Sequence, residues 1–600
     1  MTNIFDGFFH PTIVFFGLGL VLLLLARTTV TWWRWLLPLA PVLAIVSVFV
    51  VEPCDYLQLR YLGLDLSLGR VDSLALLFAN VFAIQALIGF IYAFHLKEIR
   101  HHVAAAVYVG GAFGCVFAGD YLTLFIFWEI MSVASTLLIW FNSRDNPRAV
   151  GAGIRYFVIH TIGGLLMLAG ILLRYQVVGD FTFTGIIPAD AQYYDWLIML
   201  GFGVNAAFVI AHAWLPDAYP EATIPGAVFM SAFTTKTAVY VLARGFAGWE
   251  FLAWMGVAMA LWGVFYATME NNARRILSYH IMSQVGYMVA GIGIGTAMTL
   301  NGTCAHAYAH ILYKGLLFMS VGAVLYAAGT AKLNELGGLA GRLPLVMLAY
   351  VVAGLSISGM PIFNGFVSKT MTITGAFNDH QILLGMLMEV AAVGTFLSVG
   401  LKLPYFAFWG GKPTYDKPLK PIPVNMYIAM GAAAFLCIAQ GLYPDLLYRF
   451  LPFPGAYDFQ PWSAWKVLMT LLLLGFTGLG FMVMRGVLKP HAQRNLDFET
   501  LYIFVGRSFL ALVSWPLAKI DALWSEVYER VGLVGLLFLG RITSWFDKMG
   551  IDFFLDNSAA GARDAGGILT TAQSGRLQDY LALAIALAAG IALLVWYLSA

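Results

Sequence analysis

Charge is what this sequence lacks most. Only 11% of its 600 residues are Asp, Glu, Lys or Arg, and 60% are hydrophobic; an ordinary soluble domain is about 25% charged. A set of soluble domains would need a polar shell around each core, and there is too little polar sequence to make one. Cysteine is scarce as well. Cys54, Cys115, Cys304 and Cys437 lie far apart, with no CxxC and no Cys/His ligand spacing, so no iron–sulfur or structural zinc motif is present. The net charge of +2 says nothing about nucleic acid, and without a basic tail or an Arg/aromatic tract no nucleic-acid partner is expected. No soluble catalytic domain and no cofactor motif can be found, and no cofactor is expected.

What the chain has instead is long apolar runs. About 20 apolar residues cross a bilayer at 1.5 Å per residue, and Leu74–Tyr92, Val103–Ala118, Leu122–Phe141, Trp254–Thr268 and Leu581–Leu598 meet or approach that length. The first run, near Thr12–Ala26, follows no basic stretch and precedes no small-residue cleavage site, and it reads as a retained span. Counting such runs gives roughly sixteen spans. Taken alternately, the intervening loops fall into two groups. One holds Arg27/Arg34, Lys97/Arg100, Arg144/Arg148, Arg274/Arg275, Lys332/Arg342, Lys412/Lys417/Lys420 and Arg485/Lys489/Arg494. The other holds Asp180, Asp190 and scattered cations such as Arg60, Arg70, Arg174 and Arg449. The cation-rich loops are expected on the cytoplasmic side, which places both termini outside and the chain in the cell inner (plasma) membrane.

From Leu501 to Phe554 the pattern changes. Arg507, Lys519, Asp521, Glu526, Glu529, Arg530, Arg541, Asp547 and Lys548 interrupt the apolar residues at helical spacings. That predicts an amphipathic helix lying along a membrane surface, about 80 Å long if continuous, with Pro516 kinking or interrupting it. A final span follows from Leu577.

Charged residues inside spans cost at least ~2.5 kcal/mol each and are functional candidates by default. Glu129 and Lys236 sit within apolar runs. His306, His310 and Lys314 recur at i, i+4 and i+8, forming one polar stripe on a helix face. Lys369, Glu389 and Lys402 come from the segments that follow. Acids, lysines and histidines together suit a proton relay, because burial favours the neutral forms of lysine and carboxylate alike and brings both within reach of neutral pH. Simpler readings stand beside this one: Lys402 snorkelling to an interface, Glu389 pairing with a lysine, a metal or haem on the histidines, or a static buried ion pair. Two segments break the helical pattern. Gly359, Pro361 and Gly365 precede Lys369, where a broken helix would expose carbonyls and N–H groups to an ion. Trp214-Leu-Pro-Asp-Ala-Tyr-Pro-Glu-Ala-Thr-Ile-Pro-Gly reads as a short structured loop.

Four stretches carry a family resemblance: Trp214-Leu-Pro-Asp-Ala, Arg275-Ile-Leu-Ser-Tyr-His-Ile-Met-Ser-Gln-Val-Gly-Tyr, His306-Ala-Tyr-Ala-His-Ile-Leu-Tyr-Lys, and Gly359-Met-Pro-Ile-Phe-Asn-Gly-Phe-Val-Ser-Lys. From about Leu74 to Trp409 the chain resembles the antiporter-like subunits shared by respiratory complex I and Mrp-type Na⁺/H⁺ antiporters. The resemblance implies an all-α polytopic membrane protein: a core of about fourteen helices with two inverted five-helix repeats, each containing a broken helix. It also implies a relay through Glu129, Lys236, His306, His310, Lys314 and Lys369. Lys236 is similar to a lysine of Mrp D-type subunits. The amphipathic segment, Ser574-Gly-Arg-Leu-Gln-Asp-Tyr and the last span resemble the lateral helix and anchor of the largest complex I pump subunit. The implied organisation is N-terminal helices (1–102), two repeats (103–250 and 251–410), further core helices (411–490), the lateral region (491–575) and an anchor (576–600). One departure stands out. The family's lysine nine residues before the Trp of Trp214-Leu-Pro-Asp-Ala is Asn205 here, and its usual proline is Ile210.

The expected role is a subunit that moves protons, with or without Na⁺, among other integral membrane subunits in a lipid bilayer. Mrp-type antiport leads. The alternatives are a pump module driven by a partner's redox chemistry, an energy-coupling subunit for inorganic-carbon uptake, and a degenerate structural brace.

Overall fold

The computed structural model describes residues 8–26, 32–410, 413, 418–492 and 495–599. Arg27, Lys412, Lys417 and Arg494 of the cationic loops lie outside the described residues. The chain forms two compact units, Met1–Leu501 and Tyr502–Ala600.

The first unit opens with α1 (Pro11–Leu25) and α2 (Leu36–Val50). A hairpin of β1 (Cys54–Tyr61) and β2 (Leu64–Val71) follows, which counting apolar runs did not anticipate. Its signal is period-two alternation: Leu57, Leu59 and Tyr61 on one arm, Leu64, Leu66 and Leu68 on the other, joined through Gly63 at φ 80°. Next come α3 (Ser73–Ala93), α4 (Ile99–Phe117), α5 (Tyr121–Trp140) and α6 (Arg148–Val178). Asp72 and Asp120 start α3 and α5 by accepting hydrogen bonds from the amides of Ala75 and Thr123. Then follow α7 (Tyr193–Ala206), the one-turn α8 (Trp214–Ala218), α9 (Ile224–Ala232) and α10 (Thr234–Gly245). The segment expected as a loop is thus partly helical, and it is held on both sides. Arg155 of α6 grips Asp217 through two hydrogen bonds of 2.6 and 3.0 Å, and Arg274 donates to the carbonyls of Pro220 and Ala222.

The second half runs α11 (Glu250–Met269), α12 (Ala273–Ile294), α13 (Ala297–Ala328), α14 (Pro344–Ile357), α15 (Asn364–Asn378) and α16 (Ile382–Thr395). Two wide π turns, Phe396–Lys402 and Tyr405–Trp409, extend α16. The unit continues with α17 (Val424–Leu442), the short α18 (Asp445–Tyr448) and α19 (Ala464–Met484). The 32-residue α13 is the central post, packing against α3, α9, α12, α14, α15 and α17.

Two helices are interrupted by the same backbone device. After α7, Ala207 turns left-handed (φ 64°) and Ile210, three residues on, has φ 81°; after α14, Gly359 has φ 77° and Ile362, three residues on, φ 86°. A β-branched residue in that region costs on the order of 1–3 kcal/mol. Proline, locked near −65°, could not adopt the conformation of Ile210.

Among the described residues twelve helices are long and apolar enough to cross a membrane, and Pro11–Leu25 and Pro344–Ile357 are apolar but shorter. This is a multi-pass membrane protein. The count falls below the sixteen apolar runs for a physical reason. The breaks shorten α7 and α14, while α12 carries Arg274, Arg275, His280 and Gln284 along its length, so apolarity alone does not mark it.

The second unit takes up the helix α20 (Phe498–Val527), which runs on through a π turn, α21 (Val534–Phe546), another π turn and α22 (Phe553–Ala572). Pro516 does not end it. The proline costs only the amide donor that the carbonyl of Leu512 would have used, and the residues around it stay helical. The continuous stretch Phe498–Thr571 is 74 residues, hence ~110 Å at 1.5 Å per residue and longer than the sequence indicated. The terminal α23 (Leu577–Ser599) closes the chain.

Candidate proton pathway

The structure assembles most of the expected titratable groups into one buried row. Its centre is α13, whose 3.6-residue period stacks His306, His310 and Lys314 on one face, all fully buried. His310 lies within electrostatic reach of His306, Lys314, Lys236 and Lys369. Polar neighbours hold the row in place. His306 Nδ1 meets Ser368 Oγ at 3.1 Å, and its Nε2 meets Gln284 Oε1 at 3.2 Å and the Tyr313 hydroxyl at 3.4 Å. The imidazole and amide of His280 and Gln284, one turn apart on α12, reach Ser398 Oγ at 2.6 Å and Thr395 Oγ1 at 3.3 Å.

The lysines share a second task. At each helix end the last carbonyls lack N–H partners, and a lysine supplies the donor. Lys236 Nζ donates to Ser231 O at the end of α9 (2.7 Å) and to Thr235 Oγ1 (3.0 Å). Lys369 Nζ donates to Ile357 O, the last residue of α14 (2.8 Å), with the Tyr287 ring 5.0 Å beneath it. Lys402 Nζ donates to Thr268 O and Glu270 O at the end of α11. Lys402 therefore stands apart from the row: it is buried rather than snorkelling, and it fastens a helix end from within a π turn.

Both carboxylates sit at the margins. Glu389, half-buried on α16, is within electrostatic reach of Lys369 and Tyr287 but forms no ion pair with the lysine among the described residues. Glu129 faces an open groove of about 530 Å³ lined by Leu23, Arg100, Val107, Ile130 and Leu137. Its Oε1 is buried without a hydrogen bond, and a side chain at Gly164 of α6 would collide with it. No group of three His, Cys, Asp or Glu residues could hold a metal among the described residues.

His280, Gln284, Ser368, Tyr287 and Tyr313 are site residues that the sequence reading misses, although His280 and Gln284 carry the same i, i+4 signal as His306 and His310. Asn205 is fully buried, and both polar atoms of its amide lack partners.

Residues 118–396 match the profile of the family described as NADH:quinone oxidoreductase/Mrp antiporter, TM. This stretch, a little under half of the chain, is similar to that family. It contains every expected relay residue except Lys402. The chain is 29% identical over 572 residues to an Na(+)/H(+) antiporter protein of Alkalihalophilus pseudofirmus, covering 85% of this chain and 65% of that protein. It spans between half and two thirds of the length of several curated relatives it matches. Its fold is that of a chain in the Mrp complex from Dietzia sp. DQ12-45-1b (TM-score 0.68, 23% identity, 78% of this chain and 100% of that one). It is also that of a chain in the membrane-bound sulfane sulfur reductase, an archaeal respiratory membrane complex (TM-score 0.68, 22% identity, 97% of this chain and 99% of that one). The matched stretch contains the row on α13 and, at its first broken helix, Asn205.

Proposed function

We propose that this chain is a proton-translocating subunit of a multisubunit, Mrp-type cation/proton antiporter, exchanging H⁺ for Na⁺. The observation that carries the reading is the buried row Lys236–Lys314–His310–His306–Lys369, crossing from the first broken-helix region to the second with Glu389 beyond it. Lysine and imidazole both take up and release protons, and the hydroxyl and amide side chains between them can orient water. A row of basic groups holding fewer protons than sites lets charge shift along it. In this reading the segments 103–250 and 251–410 are inverted repeats, and both termini lie outside the inner membrane. The apolar side chains exposed along Tyr502–Ala600, Trp515 and Trp524 among them, are covered by lipid and by neighbouring membrane subunits along a lateral helix.

A second reading, a pump module driven by a partner's redox chemistry, is favoured by one observation. The sulfane sulfur reductase chain matches 97% of this one, whereas the Mrp chain matches 78%. Mass spectrometry of the complex, purified gently from its native membrane through a tag on this chain, separates the two. Small membrane proteins alone support the antiporter; flavin- or iron–sulfur-bearing partners replace it with the pump. Isolation as a lone chain that moves no protons would overturn both.

A further inference from the structure

The row has a gap on its N-terminal side. Glu129 lies outside the reach of Lys236, and the lysine expected between them is Asn205. The groups that fill this gap come from α5, α6 and α7. His160, on α6, is completely buried, and neither ring nitrogen makes a hydrogen bond. Its ring stacks on Tyr156 (centroids 4.1 Å apart) and meets the edge of Trp214 (4.5 Å). It faces Asn205, and the two side chains approach each other without forming a well-made hydrogen bond. One helical turn further along α6 is Gly164, the residue whose missing side chain makes room for Glu129. On its other side, Tyr156 OH meets Ser135 Oγ at 2.9 Å and faces Thr234, whose hydroxyl meets Tyr108 OH at 2.6 Å. Thr234 stands two residues before Lys236.

A histidine placed only to fill space would have at least one nitrogen satisfied, because a buried unpaired polar atom costs about 1–3 kcal/mol. Here Glu129 Oε1, both His160 nitrogens and both Asn205 amide atoms lack a well-formed hydrogen bond within the protein, on the neighbouring helices α5, α6 and α7. Buried polar atoms left in this way are the groups that ordered water satisfies. Few charged groups belong to the elements packed against α6: Glu129 on α5, Asp195 on α7, which Arg174 holds, and Asp217 on α8, which Arg155 holds.

We infer that His160 carries the proton across the N-terminal module in place of the absent lysine, linking Glu129 to Lys236 through bridging water and the Tyr156, Ser135 and Thr234 hydroxyls. The imidazole accepts a proton at one nitrogen and releases one from the other. No atom is gained or lost, and the ring returns to a neutral tautomer after rotation. Asn205, able to donate and accept hydrogen bonds but not to ionise, orients the water on one side.

The inference rests on the proton-translocating reading, and the test separates the two. Proton movement is measured with a pH-sensitive dye in vesicles containing the intact complex, with assembly checked by its yield. Lys369→Ala serves as the control for the function itself. His160→Gln is expected to lower transport about a hundredfold, and combining it with Asn205→Lys is expected to restore at least a tenth of the wild-type rate. If Lys369→Ala abolishes transport while His160→Gln stays within about twofold of wild type, far short of a relay loss, the role of His160 is overturned and the function stands. If Lys369→Ala also leaves transport intact, the function itself falls. Should His160→Gln fail to assemble, the exchange His160→Asn with Asn205→His moves the imidazole to α7. Transport by the exchanged protein supports the relay, whereas an assembled but inactive exchange, or one that again fails to assemble, assigns the ring a packing role and overturns the inference.

Discussion

The two helix breaks of the first unit share a backbone turn and differ in chemistry. Each interrupts a helix with a left-handed residue and, three positions later, an isoleucine at φ above 80°. In the C-terminal half this break is followed by Lys369, tied to the end of α14, and its imidazoles are held by Ser368, Gln284 and Ser398. In the N-terminal half the helix before the break, α7, presents Asn205, and the ionisable groups sit instead on α5, α6 and α10. The break is therefore a feature of the scaffold that persists without a titratable side chain on it. Which residue carries the proton is a separate choice, open to relocation by one helix.

The most severe way to break the comparison is to remove the ends of the proposed path. Lys369→Ala and Glu129→Gln are each expected to lower vesicle proton transport by about a hundredfold or more with the complex still assembled. Equal losses would show both halves in one path, and a loss in Lys369→Ala alone would confine conduction to the C-terminal half. A smaller effect is expected of Gly164→Ala, which drives a methyl group into Glu129 Oε1. The carboxylate is the far end of a flexible side chain and turns aside at little cost to folding, but its displacement is expected to lower transport about tenfold; unchanged transport would show that the position of Glu129 is not critical.

A third prediction concerns a link that only the N-terminal half possesses. Beside the first break, His212 Nε2 meets Asp497 Oδ2 at 3.0 Å and the Tyr279 hydroxyl donates to the same oxygen at 2.7 Å. Burial alone would push this carboxyl up, but the bonds from His212, Tyr279 and the Phe498 amide hold it below the usual carboxylate range. Asp497→Asn is expected to cost about 1–3 kcal/mol in a detergent thermal melt at pH 7. Because the folded value is the lower one, the contribution is full above the unfolded value of about 3.9 and fades as pH falls further. Mutant and wild-type melting temperatures should converge only in that acid range; convergence already near pH 6 would contradict the pairing. The smallest effect sharpens the comparison most. Ile210→Gly and Ile362→Gly each relieve one positive φ on an exposed residue and should stabilise by up to ~1 kcal/mol, equally in both halves. Unequal gains would mean that the two breaks are not equivalent.

Much of this architecture was legible in the sequence because apolar length and the i, i+4, i+8 spacing on α13 are local signals. The second break was legible for the same reason, through Gly359 and Pro361. From the residues alone the first was not, since Ala207 and Ile210 have no turn preference and are held there by Arg155, Asp217, Trp214 and their neighbours; only the family resemblance put a break beside Asn205. The β1–β2 hairpin was hidden by a search tuned to long apolar runs. His160 lay among glycines and aliphatic residues with no periodic partner, and only the meeting of three helices shows what it faces. Pro516 does not interrupt its helix, because a single proline removes one hydrogen bond and a long helix can absorb the loss.

In the proposed relay, the lysines that close the ends of α9 and α14 would bind charge transport to mechanics. A charged ammonium makes a hydrogen bond about twice as strong as a neutral amine does. When Lys236 or Lys369 gives up its proton, the carbonyl it held is gripped less firmly, and the helix end beside it becomes freer to fray. Each passing proton would then be felt as a brief loosening of the backbone, timed to the charge and propagated to whatever leans on that helix. Amide hydrogen exchange at Ser231–Phe233 and Ile357–Gly359 should accelerate in Lys236→Gln and Lys369→Gln respectively. Exchange indifferent to these substitutions would mean that the fastening and the ferrying are separate jobs.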